Sequence, residues 1–132
     1  MTMKAAVVVV GIALLLAGRS VVAHHAFSAE FDADKPVKLT GTVTKLEWTN
    51  PHAWIYMDVK DPSGNVANWG FELASPNGLM RLGWTRFSLR PGDEVTIEGT
   101  RAKNGSTNAN AQVILSAKTG QRLFAGSSQA PQ

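Results

Sequence analysis

The segment Ala53-Trp54-Ile55-Tyr56-Met57-Asp58-Val59 alternates apolar with polar or aromatic side chains, and after Asp61-Pro62-Ser63-Gly64-Asn65 the segment Val66-Ala67-Asn68-Trp69-Gly70-Phe71-Glu72-Leu73 alternates again. A strand points successive side chains to opposite faces, so Ile55, Met57 and Val59 share one face while His52, Trp54, Tyr56 and Asp58 take the other. The returning strand sends Ala67, Trp69, Phe71 and Leu73 inward and leaves Asn68, Gly70 and Glu72 outward. Proline, glycine and asparagine between the two stretches form a turn, which makes the unit a hairpin. Pairing across that turn brings Trp54 close to Glu72.

Upstream, residues 37–48 read as one strand with a fault in it. Leu39, Gly41 and Val43 share a face, whereas Leu46 and Trp48 have the opposite parity, so a bulge near Lys45 is expected. Downstream, Ser75 can cap a helix and Pro76 fits its first position, Leu79 and Leu82 give it one apolar face, and Gly83 ends it. Residues 94–101 alternate, Lys103-Asn104-Gly105-Ser106 turns, and residues 109–116 form a further strand with an extension to Phe124. Five strands with one short helix between the third and fourth predict a mostly β, OB-like barrel, with a small open β-sandwich as the alternative. Gly41 inside the first strand suits the bend that closure needs.

The N-terminus reads as a secretory leader. Lys4 precedes an apolar run from Ala5 to Ala17, followed by Gly18-Arg19-Ser20 and the small residues of Val21-Val22-Ala23. The run is shorter than the roughly 20 residues of a comfortable span. The expected organisation is therefore a leader over 1–23, an extended arm over 24–36, one OB-like domain over 37–125 and a disordered polar tail over 126–132, with a periplasmic or extracellular location. An uncleaved anchor is the alternative. Cleavage removes Lys4 and Arg19 and no acid, which takes away two of the three excess positive charges. A nearly neutral domain lacks the basic field that binding a phosphate backbone needs, so the target is a small ligand or a partner protein rather than nucleic acid. The chain has no cysteine, which excludes disulfides and thiolate metal sites.

Three clusters carry chemistry. His24 and His25 directly follow the cleavage site, and His52 stands at the head of the hairpin. Imidazole suits copper, zinc and nickel, and an α-amine with a pKa of about 7.7 to 8.0 yields its proton readily to a metal. A chain starting at His24 would offer its amine and ring, joined by His52, as a three-nitrogen brace for copper; cleavage one residue earlier would place His25 third, as an amino-terminal chelate. The plainer reading makes His24 and His25 part of a loose arm and has His52 order the turn after Asn50-Pro51. The second cluster is the outward face His52, Trp54, Tyr56 and Glu72, a binding platform unless Phe27 and Phe31 of the arm cover it. The third is Arg81, Trp84, Arg86 and Arg90, where arginine beside tryptophan can stack by cation–π attraction or bind an acidic partner; the plainer reading has Trp84 plug one end of the barrel and the arginines pair with Asp93, Glu94 or Glu98.

The blocks His24-His25-Ala26-Phe27-Ser28-Ala29-Glu30-Phe31-Asp32, Trp48-Thr49-Asn50-Pro51-His52, Ser75-Pro76-Asn77-Gly78-Leu79, Gly83-Trp84-Thr85-Arg86 and Leu89-Arg90-Pro91-Gly92-Asp93 resemble a family of small exported bacterial proteins catalogued only as a domain of unknown function. The resemblance implies an exported, mostly β domain and supplies no activity or site residues. No nucleophile elbow, His-Glu-x-x-His helix or phosphate-binding loop occurs. The expected function is a non-enzymatic exported binding module; the alternative is a copper enzyme or electron-transfer protein with a brace built on His24 and His52.

Overall fold

The alternation of the hairpin becomes exact register in a computed structural model, which describes Phe27 and residues 29–126. Strand β2 (Trp54–Lys60) pairs antiparallel with β3 (Val66–Glu72), setting Trp54 opposite Glu72, Ile55 opposite Phe71 and Tyr56 opposite Gly70. Asp61 ties the turn together, its carboxylate accepting the Asn65 N–H at 2.9 Å and its carbonyl accepting the Gly64 N–H at 2.9 Å. Gly64 adopts a φ of 90°, in the left-handed region where a side chain is strained.

Strand β1 (Phe31–Glu47) carries the expected fault, a register shift between Val43 and Lys45 against β2. The extra residue moves Leu46 and Trp48 onto the core side and places Lys45 opposite Tyr56 and Glu47 opposite Trp54. β1 starts at Phe31 rather than at Val37, because part of the arm pairs with β4 (Glu94–Ala102): Phe31 faces Ala102 and Pro36 faces Thr100, with an irregularity between them. At Gly41 the backbones of β1 and β2 approach so closely that a Cβ would run into the Asp58 carbonyl.

Strand β5 (Asn108–Ser116) pairs antiparallel with β4 and parallel with β3, which closes the strands into a ring in the order β1, β2, β3, β5, β4. The fold is thus mostly β and OB-like, as expected. Strand β6 (Arg122–Phe124) adds to β5 outside the ring. The ring is filled by Val43, Ile55, Met57, Phe71, Leu73, Val95, Ile97 and Ile114, all buried.

Helix α1 (Pro76–Arg81) lies between β3 and β4, with the Ser75 hydroxyl accepting the Gly78 N–H at 3.2 Å. Leu79 enters the core, but Leu82 does not and is 51% exposed. Leu82 is the cap where the chain leaves the helical path, so the three-residue spacing no longer stacks it on Leu79. Trp84 is buried in the core cluster, and its indole N–H donates to the Phe124 carbonyl at 2.9 Å. Among the described residues no helix is long and apolar enough to cross a membrane. The segment expected to be a leader, His24, His25 and the residues beyond Gly126 lie outside the described residues.

Candidate functional site

Ring closure builds a row of side chains across the outer face of β2, β3 and β5. Trp54 faces Glu72, Glu72 faces Asn110, and Asn110 faces Thr100 on β4. All three polar members are buried, Glu72 at 6%, Asn110 at 3% and Thr100 at 6% exposure. A carboxylate on an outward-pointing position would ordinarily stay in water, and burying it demands hydrogen-bonding or charged partners. Glu72 has such a partner in His52, whose Nδ1 lies 3.2 Å from Oε1.

His52 follows the cis Asn50–Pro51 peptide and immediately precedes β2. Its carbonyl accepts the Thr49 hydroxyl at 3.3 Å, while its imidazole turns to Glu72 rather than to the turn's backbone. A carboxylate only accepts, so in the neutral ring Nδ1 carries the proton and Nε2 keeps the lone pair. This carboxylate–imidazole pairing is how metal-binding histidines are held in place: the carboxylate fixes the tautomer and orientation of the ring and raises the basicity of the other nitrogen.

Along β2 the same face forms an aromatic wall. Trp54 and Tyr56 stack with ring centroids 6.3 Å apart and 17° between planes. Gly70 beneath Tyr56 is needed for this, since a Cβ there would lie 3.2 Å from the tyrosine ring and 2.7 Å from the Asn108 amide oxygen. Lys45 sits 5.8 Å from the centre of the Tyr56 ring and pairs with Glu47 at 3.3 Å. Burial pushes the Tyr56 pKa above its ordinary 10.0, and the Glu47 charge and a hydrogen bond to Glu47 add to the rise, against a smaller pull from Lys45.

Tyr56 is the chain's single tyrosine, so ultraviolet titration reads it alone. The expected midpoint lies above 10.0, and Glu47→Gln is expected to lower it. The folded state holds this proton more tightly than the unfolded chain does. Its contribution to stability is therefore complete below pH 10 and fades as the pH rises through the folded midpoint.

A family model of unknown function, DUF6152, matches residues 13–111, which include His52, Trp54, Tyr56, Glu72 and Asn110. The chain belongs to DUF6152. No curated protein matches it. In this DUF6152 chain the hairpin brings together His52, Trp54, Tyr56 and Glu72 of the predicted site residues, whereas His24 and His25 fall outside the described residues. Among the described residues no group of three or more His, Asp or Glu side chains could hold a metal ion.

Sequence reasoning missed Asn110 and Thr100. The alternation Asn108-Ala109-Asn110-Ala111 carried the signal for Asn110, because it sets both asparagines on the outward face. Of the arm's two phenylalanines, Phe31 is buried in register with Ala102, and Phe27 lies against it at 5.3 Å between centroids, while Trp54 and Tyr56 remain half-buried. The arginine cluster differs from expectation. Glu98 pairs with Lys38 at 3.2 Å, Asp93 accepts the backbone N–H of Arg90 at 2.9 Å, and the Arg90 guanidinium sits over Phe87 at 5.9 Å.

Proposed function

We propose that this protein is an exported, non-enzymatic binding module whose ligand is a transition-metal cation, copper foremost. His52 supplies Nε2 from the folded domain, and His24 at the start of the exported chain supplies its α-amine and ring nitrogen. The observation that carries this reading is the 3.2 Å contact between His52 Nδ1 and a Glu72 carboxylate that is almost wholly buried. The contact satisfies the buried carboxylate and at the same time turns Nε2 away from it, and a histidine that presents Nε2 to a metal gains orientation and basicity from such a partner. Nitrogen donors of this kind favour copper over calcium or magnesium, which select oxygen. The stacked Trp54 and Tyr56 would wall the site on the side of the hairpin and limit water around it.

Intact-mass analysis of the protein recovered from its host, with and without added copper(II), tests the reading. The expected result is a chain starting at His24 that takes up one copper ion. A chain that keeps Met1, or one that starts beyond His25, would overturn it.

A further inference from the structure

We infer that the surface around Phe87, on the connection between α1 and β4, is a docking site for an acidic peptide segment of a partner protein that carries a large apolar anchor. The inference is independent of the metal site. Phe87 is 66% exposed and Met80 52% exposed, a cost in water that isolated surface residues rarely concentrate in one place. Two grooves of about 560 and 400 Å³ adjoin here, and Arg86 and Phe87 line both. Trp48 and Trp84 line the first groove, and Leu46 and Leu89 line the second. Phe87 therefore stands as a ridge between two apolar depressions.

The ridge is held in place. The Thr85 N–H donates to the Ser88 hydroxyl at 2.9 Å, the Phe87 N–H to the Thr85 hydroxyl at 3.2 Å, and the Ser88 N–H to the Thr85 carbonyl at 3.1 Å. A surface already ordered before binding loses little entropy when a partner arrives.

Charge identifies the occupant. Arg86 and Arg90 line the grooves and are exposed, and no ion pair among the described residues uses an arginine. Lys45, which also lines the second groove, is already paired with Glu47. Two guanidinium forks beside apolar grooves are complementary to carboxylates flanking an apolar side chain. An extended peptide presents side chains alternately and can fill a depression on each side of the ridge, which a flat lipid surface cannot.

Fluorescence anisotropy on the full chain tests this with labelled peptides of about ten residues in which phenylalanine and leucine are flanked by glutamate and aspartate, beside the same peptides with lysine in the flanks. The acidic peptides are expected to bind and the basic ones not. Phe87→Ser and Arg86→Glu are each expected to weaken binding at least tenfold, roughly the loss of one interface hot spot, while leaving the thermal midpoint unchanged because both side chains are exposed. Failure of the acidic peptides to bind, equal binding of the basic ones, or indifference to Phe87→Ser would overturn the proposal. So would Phe87-dependent binding to phosphatidylglycerol vesicles, or a Phe87-dependent dimer in sedimentation, without peptide binding; these would assign the surface to lipid or to a second copy.

Discussion

Replacing His52 with alanine is expected to weaken copper(II) binding at least tenfold in isothermal calorimetry, a loss of more than about 1.4 kcal/mol. The substitution removes one of the three nitrogen donors proposed for the metal and takes the imidazole away from the buried Glu72 carboxylate. Glu72→Gln separates the two effects. It keeps His52 as a donor but replaces the acceptor that fixes its tautomer, and loss of such a supporting group typically costs about 10 to 100-fold in metal affinity. His25→Ala should matter less if the chain starts at His24, because the brace uses the amine and ring of that first residue. An amino-terminal chelate reverses the order, with His25→Ala severe and His52→Ala nearly silent. That reversed order, or unchanged affinity in both variants, would remove His52 from the site.

Trp84→Ala is expected to destabilise the fold by about 3 to 5 kcal/mol, a large part of the roughly 5 to 15 kcal/mol that such a domain has. Trp84 is only 2% exposed, and its removal leaves a cavity where the helix connection enters the ring. It also deprives the Phe124 carbonyl of its indole donor, which links α1's exit to β6. The thermal midpoint should fall by at least about 12 °C. Trp84→Phe, which fills most of the volume without the N–H, should lose markedly less. The wild-type protein should unfold cooperatively in the presence of chelator, since its core is assembled entirely from apolar side chains of the ring and α1 connection.

How far local sequence reaches is clear from particular residues. The hairpin was legible because Ile55, Met57 and Phe71 alternate with polar neighbours around an unmistakable turn, and period two is a property of each strand alone. The bulge was legible for the same reason: a strand whose apolar residues change parity between Val43 and Leu46 keeps them on one face only by holding an extra residue. The start of β1 was not, because residues 32–36 carry three charges and a proline, and what holds the stretch extended is the long-range pairing of Phe31 and Pro36, at its two ends, with Ala102 and Thr100 of β4. Glu72 was correctly assigned to the outer face, yet its burial depends on β5 running parallel beside β3, a contact between distant segments that no alternation encodes. His52 and Glu72 were legible as members of one outward face, but the contact between them was not, since it depends on how the imidazole is turned at the head of β2. The exposed Phe87 gave no periodic signal because the connection that carries it is neither helix nor strand.

The claim on which the functional account turns is that Glu72 holds His52 with its proton on Nδ1 and its lone pair on Nε2. Long-range nitrogen–proton NMR correlation of the imidazole, recorded in the metal-free protein at a pH where the ring is neutral and then during titration with copper(I), measures this directly. The expected spectrum shows a protonated Nδ1 and a bare Nε2 at His52, with the Nε2 resonance moving as metal is added and Glu72→Gln redistributing the tautomers. A His52 ring protonated on Nε2, or a bare Nε2 that ignores the metal, would contradict the account.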